Sequence, residues 1–425
     1  MKPWLLQFYS CDMKITQVVH PEMAADGGFL LNDVLRPVWI FLFYNGVFPK
    51  FYHQTTENRT IYAARCAVTA ILVLYFSLYT LFLCIQFIVW FQSGTRLIYI
   101  VMIMYVLVTF SSALFFQCHH LIYHKELIQF FNDWKKIEID SLTKSSRIKK
   151  RVAKIMFAVN GTFVFANAAV GFIFNRTDPN EVIFLTYYSY ISESLNINFV
   201  SFIMGLGWYF SQLYASLGEI VPTAFFYHAG CIIEDLQQQL LDTSITGSDL
   251  YHNAMVSNLY VQFKNDQPYR HIWEKYETVL GCVKQGNKLF QSSILCLHSS
   301  LFMIICLGVY FISNLYHLKV DKLLASSFYF ITSLTTLRTI AVFRLMSHPY
   351  SSREKLRRTI AEILSSKWDS LPEEDRQLLV AFQERLGSEN MAAMPYDLYT
   401  VSPSNLLSMF SLIVTYVVVL FQIQP

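Results

Sequence analysis

Charge is the first thing this chain lacks. Acidic and basic residues fill 15% of its 425 positions, against roughly 25% in soluble globular domains. Hydrophobic residues make up 54%, and the mean hydropathy is +0.36. That shortage excludes an ordinary soluble domain and indicates an integral membrane protein. The net charge of +3 is too small for a nucleic-acid partner, and no basic, aromatic-interleaved module accompanies it. The opening MKPWLLQFYSCDMK lacks an apolar core followed by a small-residue cleavage site, so no signal peptide is expected. Also missing are a nucleophile–base arrangement, a phosphate loop and paired catalytic carboxylates, so an enzyme is not expected. There is no internal repeat of the kind that transporters carry.

What is present is a series of long apolar stretches. A bilayer core about 30 Å thick needs roughly 20 apolar helical residues, and seven segments meet that length: 66–91, 97–117, 153–174, 196–223, 292–316, 323–346 and 403–424. The fold class expected is therefore an all-α integral membrane protein of seven transmembrane helices. Basic residues set its direction. Twenty-seven of the 33 Lys and Arg lie before span 1 or in and beside the 2–3, 4–5 and 6–7 loops, and four lie on the other side. The excess of positive charge places the N-terminus in the cytoplasm and the C-terminus outside, the reverse of a G-protein-coupled receptor. None of the eight cysteines falls in a predicted external loop, so no external disulfide is available.

These spans divide the chain into four parts. Residues 1–65 form a cytoplasmic N-terminal segment with a short hydrophobic re-entrant or interfacial helix. Residues 66–346 hold transmembrane helices 1–6, an outward-facing ligand pocket and cytoplasmic helical loops. Residues 347–401 form cytoplasmic anchor helices, and 402–425 the last span. The long internal loops carry helical patterns such as LIQFFNDWKKIEI and SREKLRRTIAEILSSKW. They read either as solvated hairpins or as extensions of spans 2 to 6 that pack into one cytoplasmic body.

Several residues are candidates for chemistry. In CHHLIYH, His120 and His124 stand one turn apart, as metal ligands could, but a basic helix end leaving the bilayer explains them as well; no metal site or cofactor is expected. Glu219 in span 4 and Arg338 in span 6 are charges at comparable membrane depth. They pair, or both snorkel to the inner interface. Near the external halves of spans 3 to 6 lie Asn167, Trp208, Tyr209, Tyr310, Asn314, Phe328 and Tyr329. Aromatic walls with a few amides suit a small polar or amphipathic ligand, and the same residues also serve as packing or interfacial belt. Asn175-Arg176-Thr177 is a glycosylation sequon in an external loop, used or unused.

The last span carries the most pointed pattern. Ser402-Pro403 reads as a helix start, and Ser404, Ser408, Ser411, Thr415, Val419 and Gln422 then fall on one face. Hydroxyls can bond back to a carbonyl one turn earlier, so a contact between helices accounts for part of the stripe. Gln422 has no such cheap partner. Several copies around a symmetry axis could line a pore with this stripe, Val419 forming a hydrophobic constriction and Gln422 a ring of amides beside it. The stripe bears no fixed charge, so weak ion selectivity is expected.

The ending TYVVVLFQ (415–422) resembles the C-terminal signature of insect gustatory receptors, relatives of the insect odorant receptors. PVWIFLFYNGVFPKF (37–51), with Gly46 and Pro49 in a turn, resembles their N-terminal segment. The resemblance implies a ligand-gated, nonselective cation channel in the plasma membrane of sensory neurons. It implies a homotetramer or a heterotetramer with related receptors, a pore on the symmetry axis, and subunit contacts made mostly by the intracellular helices. The partners implied are a small-molecule tastant, the cations Na, K and Ca, and membrane lipids. By position, Gln422 would face the pore near the external gate with Val419 and Ile423 on the neighbouring turn, and Thr415 and Tyr416 would support the helix. Ile423 stands where Phe is usual. LRTIAV (337–342) resembles the sugar-receptor branch, whereas Val417 stands where that branch commonly has Glu. The expectation leans to a sugar ligand. The alternatives are a bitter compound, an obligate co-receptor subunit or a metabotropic receptor.

Overall fold

The computed structural model describes Leu31, Leu35, Val38, Gly161 and residues 59–92, 97–141, 197–254, 268–314 and 322–422. The regular structure among them is helical. The α-helices are α1 (Arg59–Gln92), α2 (Leu97–Ile122), α3 (His124–Ser141), α4 (Ile197–Ala254) and α5 (Pro268–Asn314). After them come α6 (Lys322–Met346), α7 (His348–Lys367), α8 (Glu373–Ser388) and α9 (Pro403–Gln422). A 3-10 turn at Pro395–Asp397 precedes α9. Apart from Gly161, span 3 of the sequence reading lies outside the described residues, as do Asn167 and Asn175.

Local sequence accounts for many of the helix ends. Proline opens α5 and α9 and lies in the first turn of α7, where its missing N–H costs nothing. Pro372 precedes α8, whose first turn holds Glu373, Glu374 and Asp375 against the positive end of the helix dipole. Pro222 behaves differently. Span 4 was expected to end near it, yet α4 runs through it to Ala254. Residues 216–226 are buried on every side, so packing holds the backbone where a proline alone would break it.

Among the described residues, Cys66–Val89, Ile103–Ile122 and Tyr269–Tyr310 are long and apolar enough to cross a membrane, and Pro403–Val419 is a shorter apolar helix. The outward face of α1 is a run of exposed Ile71, Leu74, Leu78, Leu81, Ile85 and Ile88, as lipid contact requires. Its inner face meets α2, where Tyr79 and Phe110 lie 4.4 Å apart.

Helices α2, α4 and α5 form the centre, α6 closes against α4 and α5, and α9 lies along α5 and α6. The same hydrophobic core continues into the parts read as cytoplasmic loops. Trp134 and Phe130 of α3 meet Phe225 of α4, and Phe382 of α8 stacks on Trp273 of α5 at 5.6 Å. Helix α7 lies along α4, with Gln237 donating to Thr359 at 2.9 Å. Of the two readings of the internal loops, the packed body is therefore the one that the described helices form, in one core cluster with the spans.

Glycines set the closest crossings. A Cβ on Gly286 of α5 would enter the Phe225 ring of α4, and one on Gly218 of α4 would enter the Phe116 ring of α2.

Candidate functional site

Helix α9 begins as its sequence dictates. The Ser402 hydroxyl accepts from the Asn405 backbone N–H at 3.4 Å, and Pro403 occupies the first turn. Twenty residues then rise about 30 Å at 1.5 Å each. Met409, Ile413 and Val417, spaced by four, are buried on the side that meets α5 and α6. The polar stripe faces the other way. Ser404, Ser408, Ser411, Thr415, Val419 and Gln422 are all exposed on the single chain.

Two stripe hydroxyls satisfy themselves locally. Ser408 donates to the Ser404 carbonyl at 3.3 Å and Thr415 to the Ser411 carbonyl at 3.0 Å. Tyr416 stands on the flank, its ring edge-to-face with that of Phe302 of α5 and the centroids 5.6 Å apart. The exposed surface of α9 also includes Leu407, Leu412, Val414 and Val418, so the stripe is a polar line between aliphatic borders. Ile423 lies outside the described residues.

The segment leading into α9 is fastened to α5. The Asn287 side chain donates to the Ala392 carbonyl at 3.0 Å and accepts from the Met394 N–H at 2.9 Å, as a neighbouring strand would. Arg385 of α8 grips Glu277 of α5 through two nitrogens, at 2.8 and 3.2 Å. Lys284 reaches Glu389 at 2.8 Å and holds that carboxyl below the usual range, and Arg353 of α7 donates to the Glu389 carbonyl. Val401 N–H closes the loop on Ala393 at 2.8 Å. The enclosed turn puts Tyr396 and Asp397 at φ of 51° and 56°, a strained setting for non-glycine residues. Higher on α5, His298 Nδ1 lies 2.7 Å from the Tyr399 hydroxyl and its ring stacks on Phe343 of α6.

The charges expected at membrane depth meet. Arg338 Nε donates to Glu219 Oε1 at 2.9 Å, its second nitrogen lies 2.6 Å from Oε2, and it also donates to Ser216 at 3.2 Å. Both side chains are buried, at 6% and 1% exposure, so neither snorkels.

Of the residues suggested for a ligand, the side chains of Tyr209, Tyr310 and Tyr329 are described. Tyr310 is fully buried with Val101 and Leu307, and Met104 and Tyr105 pack against them. Tyr209 is half-buried beside Phe210, and Tyr329 is exposed next to exposed Phe330. Trp208, Asn314 and Phe328 belong to α4, α5 and α6, but their side chains lie outside the described residues.

In CHHLIYH, His120 and His124 turn to their own backbone, with His120 Nδ1 2.6 Å from the Phe116 carbonyl and His124 Nδ1 2.8 Å from that of Leu121, whereas His119 Nε2 lies 3.2 Å from the Leu289 carbonyl of α5. No group of three or more His, Cys, Asp or Glu that could hold a metal occurs among the described residues. Sequence reasoning missed Asn287, His298 and the Ser112–Ser300 bridge of 2.6 Å between α2 and α5. The polar HSS inside the apolar LCLHSSLF is unusual at His298 and Ser300 but names no partner, and Asn287, in KQGNKLF, carries no such signal.

Comparison with known proteins follows this geometry. The family model described as 7tm Chemosensory receptor matches residues 35–425. The solved structure of the insect olfactory receptor OR5 from Machilis hrabei in complex with eugenol superposes with a TM-score of 0.65 at 14% identity. That match covers 93% of this chain and 99% of that one. A second structure of the same receptor gives 0.58 at 13% identity, over 92% and 100%. At such identities the likeness speaks for the fold. A sequence comparison with curated proteins finds no match. The matched family is one of receptors, not of enzymes. With its helices, the polar line along α9 and a family match over residues 35–425, the chain belongs to the 7tm chemosensory receptor family.

Proposed function

We propose that this chain is a gustatory receptor subunit that forms a ligand-gated, nonselective cation channel, opened by a small extracellular tastant. The observation that carries the reading is the stripe on α9. A polar line on the exposed side of a helix, opposite a buried apolar face, needs a wet neighbour. Four copies around an axis supply one: Ser408, Ser411 and Thr415 line the path, Val419 constricts it, and Gln422 with Ile423 shapes the outer mouth. The hydroxyls already bonded to their own helix leave lone pairs for water and cations.

In this reading seven spans cross the plasma membrane of a sensory neuron with the N-terminus inside. Residues 347–401 anchor the last span, and the tetramer is homomeric or shared with related receptors. The ligand enters from outside among spans 3 to 6, near Asn167, Trp208, Tyr209, Tyr310, Asn314, Phe328 and Tyr329. OR5 is recorded with eugenol, which suits a small-molecule ligand here. Sugars are the preferred class because of LRTIAV. Val417 favours a second reading, bitter compounds, since the position that would hold Glu in the sugar branch is a buried aliphatic contact.

The test is whole-cell current from the full chain, with G-protein signalling blocked, under a panel of sugars and bitter compounds. A prompt ligand-evoked current supports the channel and names the class. Ligand responses that vanish with the G-protein block would instead identify a metabotropic receptor.

A further inference from the structure

The polar stripe works only if α9 holds the right rotation, yet the buried face of α9 is smooth and aliphatic: Met409, Ile413 and Val417. Such side chains resist removal from the core but fix rotation loosely, because no directional bond is broken when they slide. Directional bonds occur instead just before the helix, and the one nearest its start that reaches across to a span is His298 to Tyr399.

The imidazole sits where three elements meet. It belongs to α5, its face stacks on Phe343 of α6 with centroids 4.2 Å apart and planes 19° from parallel, and Nδ1 lies 2.7 Å from the Tyr399 hydroxyl. Either group can donate in that bond. The ring is 5% exposed, and its Nε2 meets no hydrogen-bond partner among the described residues. A buried polar ring held at one nitrogen is a costly choice for mere filling of space. Tyr399 stands four residues before Pro403, beyond the strained turn at Tyr396 and Asp397 and after the point where Asn287 pins the chain. Asn287 sets the height of the linker, and Tyr399 is left to set the direction in which the chain enters α9.

We infer that His298 is a positioning residue for the pore helix: through Tyr399 it fixes the rotation that turns the Ser404–Gln422 stripe away from α5 and α6. The Phe343 stack makes the same ring answer to α6, so a shift of α6 past α5 reaches the start of α9 through one side chain. This inference rests on the channel reading for its consequence, but the tie itself can be tested separately.

The experiment uses the full chain in inside-out membrane vesicles, with Ser408→Cys and Met409→Cys introduced one at a time. Labelling by a membrane-impermeant methanethiosulfonate is measured over that of the parent chain. With the tie intact, the cysteine at 408 labels about tenfold faster than the one at 409, as an open position should against a packed one. His298→Ala and Tyr399→Phe are each expected to bring the two rates together. His298→Asn, whose amide stands near the Nδ1 position, is expected to keep them apart. A ratio that persists in both His298→Ala and Tyr399→Phe would overturn the inference. If the cysteine at 408 does not label with His298 and Tyr399 both intact, the pore reading fails, and the tie is judged by melting of the purified chain. Singles and double lowering Tm by the same amount then support the tie, and additive losses refute it.

Discussion

Arg338 and Glu219 show what one residue can demand of a fold. Each would be expensive alone at this depth, and both are buried, so each fixes the other in place. Removing one partner, as in Glu219→Gln or Arg338→Met, is expected to cost about 3–5 kcal/mol, whereas an apolar double replacement such as Glu219→Leu with Arg338→Met should recover most of that. Melting of the detergent-solubilised chain measures it, and a double variant no better than the worse single would refute the pairing.

Glu234, outside the spans, makes the weaker and pH-dependent counterpart. The hydrogen bond from His348 at 3.5 Å, then Lys355 at 3.0 Å, pulls its carboxyl from 4.5 down to about 2 against the effect of burial. A folded pKa below the unfolded one means stability that is full above about pH 4.5 and is lost as pH falls toward 2. Because the carboxylate is 36% exposed, screening limits the contribution to about 0.5–1 kcal/mol. Glu234→Gln should therefore lower Tm at pH 7 and remove that much of the acid sensitivity, and an unchanged pH profile would contradict the pair.

At the scale of elements, close helix crossings give opposite predictions along one helix. Gly286→Ala on α5 forces its methyl into Phe225 and should destabilise by about 1–3 kcal/mol. Gly281→Ala, five residues earlier in open space, should stabilise by about 0.5–1 kcal/mol through helix propensity alone. Equal effects in a melting comparison would show that α4 and α5 do not cross as tightly as described.

The same scale shows how far the sequence could be read. The stripe on 404–422 and its buried counterpart follow from a helical period, so they were legible, as was the start of α9 at Ser402-Pro403. The continuation of α4 past Pro222 was not legible, because the packing that overrides the proline comes from α2, α5 and α7. Asn287 and His298 were invisible for the same reason: their partners lie 105 and 101 positions away. The clustering of Tyr310 with Val101 likewise depends on how α2 and α5 cross, and no local pattern encodes that.

For the whole molecule, the proposal rests on one geometric claim, that α9 turns its polar face to a shared water-filled path. The measurement closest to that claim is the reversal potential and unitary conductance of the full chain, wild type against Gln422→Glu, in mixed Na and Ca solutions. A ring of added carboxylates at the outer mouth should raise relative Ca permeability and alter unitary conductance. Identical reversal potentials and conductances in the two proteins, at equal surface expression, would place residue 422 away from the ion path and contradict the account.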